Sequence, residues 1–149
     1  MDDIVKEGPI GFFPNSDIWS SRVAGDGIAL IGDAAGAPDP SNMGGTSVLF
    51  HDVRVLSDLL LADDDWSKAV AEYGVRRTAY FATIREWDRW GTYLKYVAGA
   101  EGDRIREGHQ KARQADPTLA GFGRIEARGP DGLVADEAAR RTFFGEDLA

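Results

Sequence analysis

Residues 27–50, GIALIGDAAGAPDPSNMGGTSVLF, decide how this chain reads. Four apolar residues, Ile28 to Ile31, form a run of the length expected for a buried strand. The run stops at Gly32-Asp33, so the strand ends on a carboxylate, and burying a charge is costly unless it is paired or hydrogen-bonded. In open α/β sheets, ligands bind beyond the C-terminal ends of the strands. Ala34, Ala35, Gly36 and Ala37 carry almost no side chain, which lets a flat or extended ligand approach the backbone. Pro38 and Pro40 stiffen the loop. Gly44 and Gly45 then open a helix whose first N–H groups lack intrahelical partners and face back toward the loop, favouring electron-rich ligand atoms. Asp33 has two readings: a turn residue that caps the loop, or an acceptor for two hydroxyls of a sugar or sugar alcohol. The strand, the small-residue loop and the glycine-opened helix together favour the second.

Working outward, 149 residues suffice for one domain with a core. Hydrophobic residues make up 43% and charged residues 28%, a balance expected of a globular chain and not of a disordered one. The net charge of -8 repels phosphate backbones and argues against nucleic acid as a partner. With no cysteine, disulfides, thiolate chemistry and Cys-based zinc sites are excluded. A cytoplasmic location is the expectation that accompanies this composition. The opening MDDIVKEG has no apolar core and does not read as a signal peptide. No apolar run approaches the roughly 20 residues of a membrane span.

Around the central stretch, residues 8–20 read as two short extended pieces joined by a turn at 14–17, and Ala24 to Gly27 as a second turn. Val48, Leu49, Val53, Leu56, Leu59 and Leu60 recur with helical spacing, predicting a helix from Gly44-Gly45 to about Leu61. Asp63, Asp64 and Asp65 break it and cap the next helix. That helix is predicted over about 67–97, with a stripe of Val70, Tyr73, Tyr80, Phe81, Ile84, Trp87, Leu94 and Val97 and a bend or break near Gly91. A polar helix over about 102–115 places Glu107 and Lys111 as an i,i+4 pair. An interruption follows at 115–124, then a turn at 128–132. Residues 136–144 read as a closing helix stopped by Gly145.

Other polar residues read plainly. Ser47, His51 and Asp52 cannot form a triad, because adjacent helix positions point apart. His51 is expected as a surface or supporting histidine, His109 as a solvated one, and no metal site is expected. Arg54 and Asp58 are placed as an i,i+4 surface pair. Trp87, Trp90, Tyr93 and Tyr96 fit a core or an interface.

ALIGDAAG, the proline-containing loop, the glycine pair and the helix running on to DVRVLSDLLL resemble the second FAD-binding motif of flavin-dependent monooxygenases, of which aromatic hydroxylases are members. The resemblance implies an α/β fold: the C-terminal part of an FAD-binding Rossmann-like fold, mostly helical with a few short β-strands. It implies one domain over 1–149, with strands and FAD loop over about 8–45 and a helical part over about 46–149. It implies that Asp33 bonds the ribityl chain of FAD and that Gly32 lets the backbone approach. Ala34, Ala35 and Pro40 then line the loop, and Gly44, Gly45 and Thr46 lie at the flavin edge. NAD(P)H is the implied reductant, and the substrate an unidentified small molecule. Gly36 stands where many hydroxylases have His, and Met43-Gly44-Gly45 where they have a Gly-Gln-Gly type sequence. GDAAG followed by Asp39-Pro40 is also similar to geranylgeranyl reductases and flavin halogenases.

Such enzymes carry G-x-G-x-x-G near the N-terminus, and the motif is absent here: three residues after Gly27 stands Leu30. The chain therefore reads as a fragment, and its Ile28 strand as one that normally lies between strands of a parallel sheet. A partner supplying the N-terminal half, or a second copy, is the expected companion. The rival expectation is a catalytically silent helical module whose apolar faces mediate association.

Overall fold

In the computed structural model, residues 8, 11, 17–42, 44–119 and 129–148 are described. Residues 9, 10, 12 and 13 of the first predicted extended piece, residues 14–16 of the predicted turn, Met43 and residues 120–128 lie outside them. Four two-residue strands come first: β1 (Ile18–Trp19), β2 (Ala24–Gly25), β3 (Ile28–Ala29) and β4 (Gly36–Ala37). They pair antiparallel as β1 with β4 and β2 with β3. Asp26 and Gly27, both at positive φ, make the β2–β3 turn, in line with the right-handed twist that hairpins require.

Helices fill the rest: α1 (Gly45–Ala62), α2 (Trp66–Tyr96), α3 (Gly99–Ala115) and α4 (Glu137–Phe144). Asp65 caps α2 by accepting from the Lys68 amide, and Asp136 caps α4 by accepting from Ala139. Gly145 ends α4 at φ 69°. The chain is thus mostly helical with a few short antiparallel strands. Among the described residues, no helix is long and apolar enough to cross a membrane.

The core joins α2 to α3 and α4. Trp87 and Trp90 pack with Phe143, which also stacks on His109 at 4.4 Å between ring centroids. Phe81, Ile84 and Val48 extend this cluster toward α1. The stripe expected on α2 is therefore the packing face, and Trp87 and Trp90 belong to the core. Tyr93 and Tyr96 are exposed.

Four expectations are corrected. The strand expected over 28–31 shrinks to Ile28–Ala29, with Ile28 62% exposed, because its partner is the adjacent hairpin arm and no further strand among the described residues covers it. α2 runs unbroken through Gly91, which is buried within it. His109 is buried, and its Nδ1 lies 2.7 Å from the Phe143 carbonyl oxygen. Arg54 pairs with Asp131 at 2.5 Å and not with Asp58, since its guanidinium also meets His51 Nδ1 at 2.9 Å. The Glu107–Lys111 pair forms as expected, at 3.0 Å.

Candidate functional site

The loop between β3 and α1 gathers the predicted residues. Gly32 to Ala34 form one 3-10 turn, with Gly32 at φ 54°. A Cβ at Gly32 would sit 2.9 Å from Leu49 Cδ1, so the space beside this glycine belongs to a side chain of α1. Ala35 is fully buried, and its carbonyl accepts from the Ser20 amide at 3.2 Å. Gly36 enters β4, where a Cβ would meet the Ile18 carbonyl at 2.9 Å and the Phe81 ring at 3.1 Å. Gly32, Ala35 and Gly36 are thus required first by α1, β1 and α2. Ala34 faces solvent.

Asp33 also faces solvent. No described residue donates a hydrogen bond to its carboxylate, which lies at the start of α1: a Cβ on Gly45 would be 3.6 Å from Asp33 Oδ1. Asp33, Gly45, Thr46 and Leu49 line an open hollow of about 530 Å³. Gly44 precedes the helix in a helical conformation, and its carbonyl accepts from Val48 N at 3.1 Å. Five predicted residues, Gly32, Asp33, Gly44, Gly45 and Thr46, are therefore at one place. Pro40 is exposed in the next turn, over Pro40–Asn42.

The buried charge is elsewhere. Asp52 of α1 is fully buried and accepts from the Gly32 amide at 2.8 Å. The Tyr80 hydroxyl donates to its other oxygen. Arg77 of α2, also buried, lies 3.4 Å from Asp52 and donates to the Gly36 carbonyl at 3.0 Å. Its guanidinium sits 4.0 Å from the Phe81 ring centroid. Tyr73 donates to the Leu30 carbonyl at 2.8 Å. Burial, with the Asp52 charge behind it, pushes the Tyr73 hydroxyl up to about 12 and the Tyr80 hydroxyl still higher. Both phenols therefore stay protonated as donors at neutral pH. His51, expected as a surface or supporting histidine, is 9% exposed and stands edge-on to Tyr80 at 4.4 Å. Its burial holds the imidazole below its ordinary range.

A second anchor holds the proline loop. Asp88 of α2 accepts from the Asp39 amide at 3.0 Å and from Asn42 Nδ2 at 2.8 Å. Lys95 donates to Asn42 Oδ1 at 2.6 Å and to the Ser41 carbonyl at 2.8 Å. Burial raises the Asp88 carboxyl to about 6.

Sequence reasoning missed Asp52, Arg77 and Asp88 as loop anchors. The signal was spacing: Val48 and Asp52 are four apart, and Tyr73, Arg77, Tyr80, Ile84 and Asp88 follow one helical face. A charge on an apolar stripe is a buried charge and demands a partner.

Compared with known families, residues 1–86 match the model of the squalene epoxidase family (SE: Squalene epoxidase). No curated protein and no solved structure matches. The matched span contains the Gly32 turn, Asp52, Arg77 and Tyr80 and stops before Trp87.

Proposed function

This chain belongs to the squalene epoxidase family, and from that premise we propose that it is the FAD-binding, C-terminal portion of a flavin-dependent monooxygenase with a Rossmann-like FAD fold. The observation that carries the reading is Asp33: an outward carboxylate free of hydrogen bonds from any described residue, beside the first turn of α1. A group so placed costs little to hold and has its full acceptor capacity left for hydroxyl donors.

Asp33 accepts from the ribityl hydroxyls of FAD. Gly44, Gly45 and Thr46 present the start of α1, whose amides and dipole favour the electron-rich edge of the ring. Ala34 and Pro40 flank the ligand from the exposed side of the loop. Gly32 and Ala35 act inward, fixing the turn against α1 and β1. Asp88 and Lys95 hold the Pro38–Asn42 segment beside the ligand. When bound, FAD would supply the redox chemistry of a monooxygenation, in which NAD(P)H provides two electrons and one atom of O2 goes to a small-molecule substrate while the other leaves as water. The chain's own share is binding, orientation and electrostatics.

Flavin titration of the purified chain tests this reading. The unsubstituted chain is expected to quench flavin fluorescence on binding, and Asp33→Ala to bind about tenfold more weakly or worse with unchanged helicity. Equal affinity of the two chains would overturn it.

A further inference from the structure

The Gly32–Gly36 turn is held from beneath by a buried ion pair. Arg77 is 1% and Asp52 0% exposed. Such a pair adds little net stability, because the loss of water offsets the attraction. What it supplies is direction. Asp52 takes the Gly32 amide, and Arg77 takes the Gly36 carbonyl, so both ends of the turn are fixed to the same two side chains. Tyr80 holds the free oxygen of Asp52. Among the described residues, no buried side-chain nitrogen or oxygen lacks a partner. With Gly32 at φ 54° and Ala35 driven inward, the two side chains between them, at 33 and 34, are turned outward, and the one that lines the hollow at α1 is the polar one. That side chain is Asp33.

We propose that Asp52, Arg77 and Tyr80 are positioning residues that preform the Gly32–Gly36 turn and thereby aim Asp33 at the cofactor, without touching it. The proposal rests on the flavin reading above. A turn set in advance spares the ligand the cost of ordering it. Loosening the clamp should therefore weaken flavin binding while leaving every proposed ligand contact in place.

Two variants and one control decide the matter. Tyr80→Phe removes a single hydroxyl, and Arg77→Lys keeps the charge but loses the guanidinium's reach to Asp52 and Gly36. Phe143→Leu weakens the Trp87–Trp90–Phe143 core, further along α2 where it meets α3 and α4. Amide hydrogen exchange over residues 32–37 and FAD affinity are measured on each chain without any turnover assay. Tyr80→Phe and Arg77→Lys are expected to raise exchange in the turn and to weaken FAD binding, each about tenfold. Phe143→Leu is expected to lower the melting temperature and change neither quantity.

Wild-type flavin affinity in both clamp variants despite a loosened turn would overturn the proposal. So would a loss of affinity in Phe143→Leu as large as theirs. If the unsubstituted chain takes up no FAD, the flavin reading falls by itself and exchange decides the clamp. Loosening confined to 32–37 then supports a preformed turn, and loosening spread evenly over the helices overturns it.

Discussion

At Asp88, two donors compete with the loss of water, and the loss of water wins. The Asp39 amide and Asn42 favour the carboxylate, but burial raises the group from 3.8 to about 6. The folded chain therefore keeps this proton over a range in which the unfolded chain has released it. The stabilising contribution is complete below about 3.8 and is lost as pH rises through about 6. Denaturant unfolding at pH 4 and pH 7 should show Asp88→Asn flattening the dependence by roughly 1–3 kcal/mol. An identical slope in the two proteins would place the buried proton elsewhere. The Asp52–Arg77 pair supplies a second test at the same scale. Arg77→Met leaves Asp52 buried without its counter-charge and should cost about 3–5 kcal/mol by chemical denaturation. A loss below about 1 kcal/mol, as at an exposed pair, would mean that water reaches Asp52. Charge placement was the least legible part of the sequence. Asp33 drew attention as a carboxylate at a strand end, yet it lies in solvent. The desolvated carboxylates are Asp52 and Asp88, whose partners lie 25 and 46 positions away at Arg77 and Asn42.

Elements were more legible where the signal is local. α1 and α2 begin and end within a few residues of expectation, because Gly44, the aspartates at 63–65 and the apolar spacing all act over one turn of chain. Strands depend on partners, and here the partners are a hairpin arm and a distant pair. The contact of α3 with the end of α4 could not be read at all, since it joins two glycines 37 positions apart. A Cβ on Gly108 would lie 2.3 Å from the Phe144 carbonyl oxygen, and one on Gly145 would lie 2.1 Å from that of Gly108. Backbone on both sides leaves no flexible atom to yield, so Gly108→Ala should push the two helices apart. The expected loss is about 1–3 kcal/mol, read as a lowered melting temperature. His109 next door reports on the same joint. Burial holds it below its ordinary range, so its stabilising share is present above pH 6.5 and lost as the pH falls below that value. Gly108→Ala should return the His109 titration, followed by NMR, toward 6.5. A variant as stable as the parent would show that the joint has room.

At the scale of the molecule, charge and apolar surface pull in opposite directions. The net charge of -8 keeps copies apart. Against it stand short strands with apolar residues turned outward: Ile18 and Ile28 are each 62% exposed, and Trp19 is 56% exposed under the Arg85 guanidinium at 4.3 Å. Each described strand pairs on one side only, and an open apolar edge is a template for another chain. The expected consequence is association that grows with concentration and with salt, as screening removes the repulsion. Sedimentation of the purified chain measures it. Trp19→Lys with Ile28→Lys should return the mass toward that of a single chain. The two added lysines move the net charge from -8 to -6, a change that by itself weakens repulsion and favours association. A fall in mass therefore cannot come from charge and must come from the lost apolar edge. An unchanged or larger mass would locate the contact on the helices, where Phe50, Leu61 and Trp66 are also exposed.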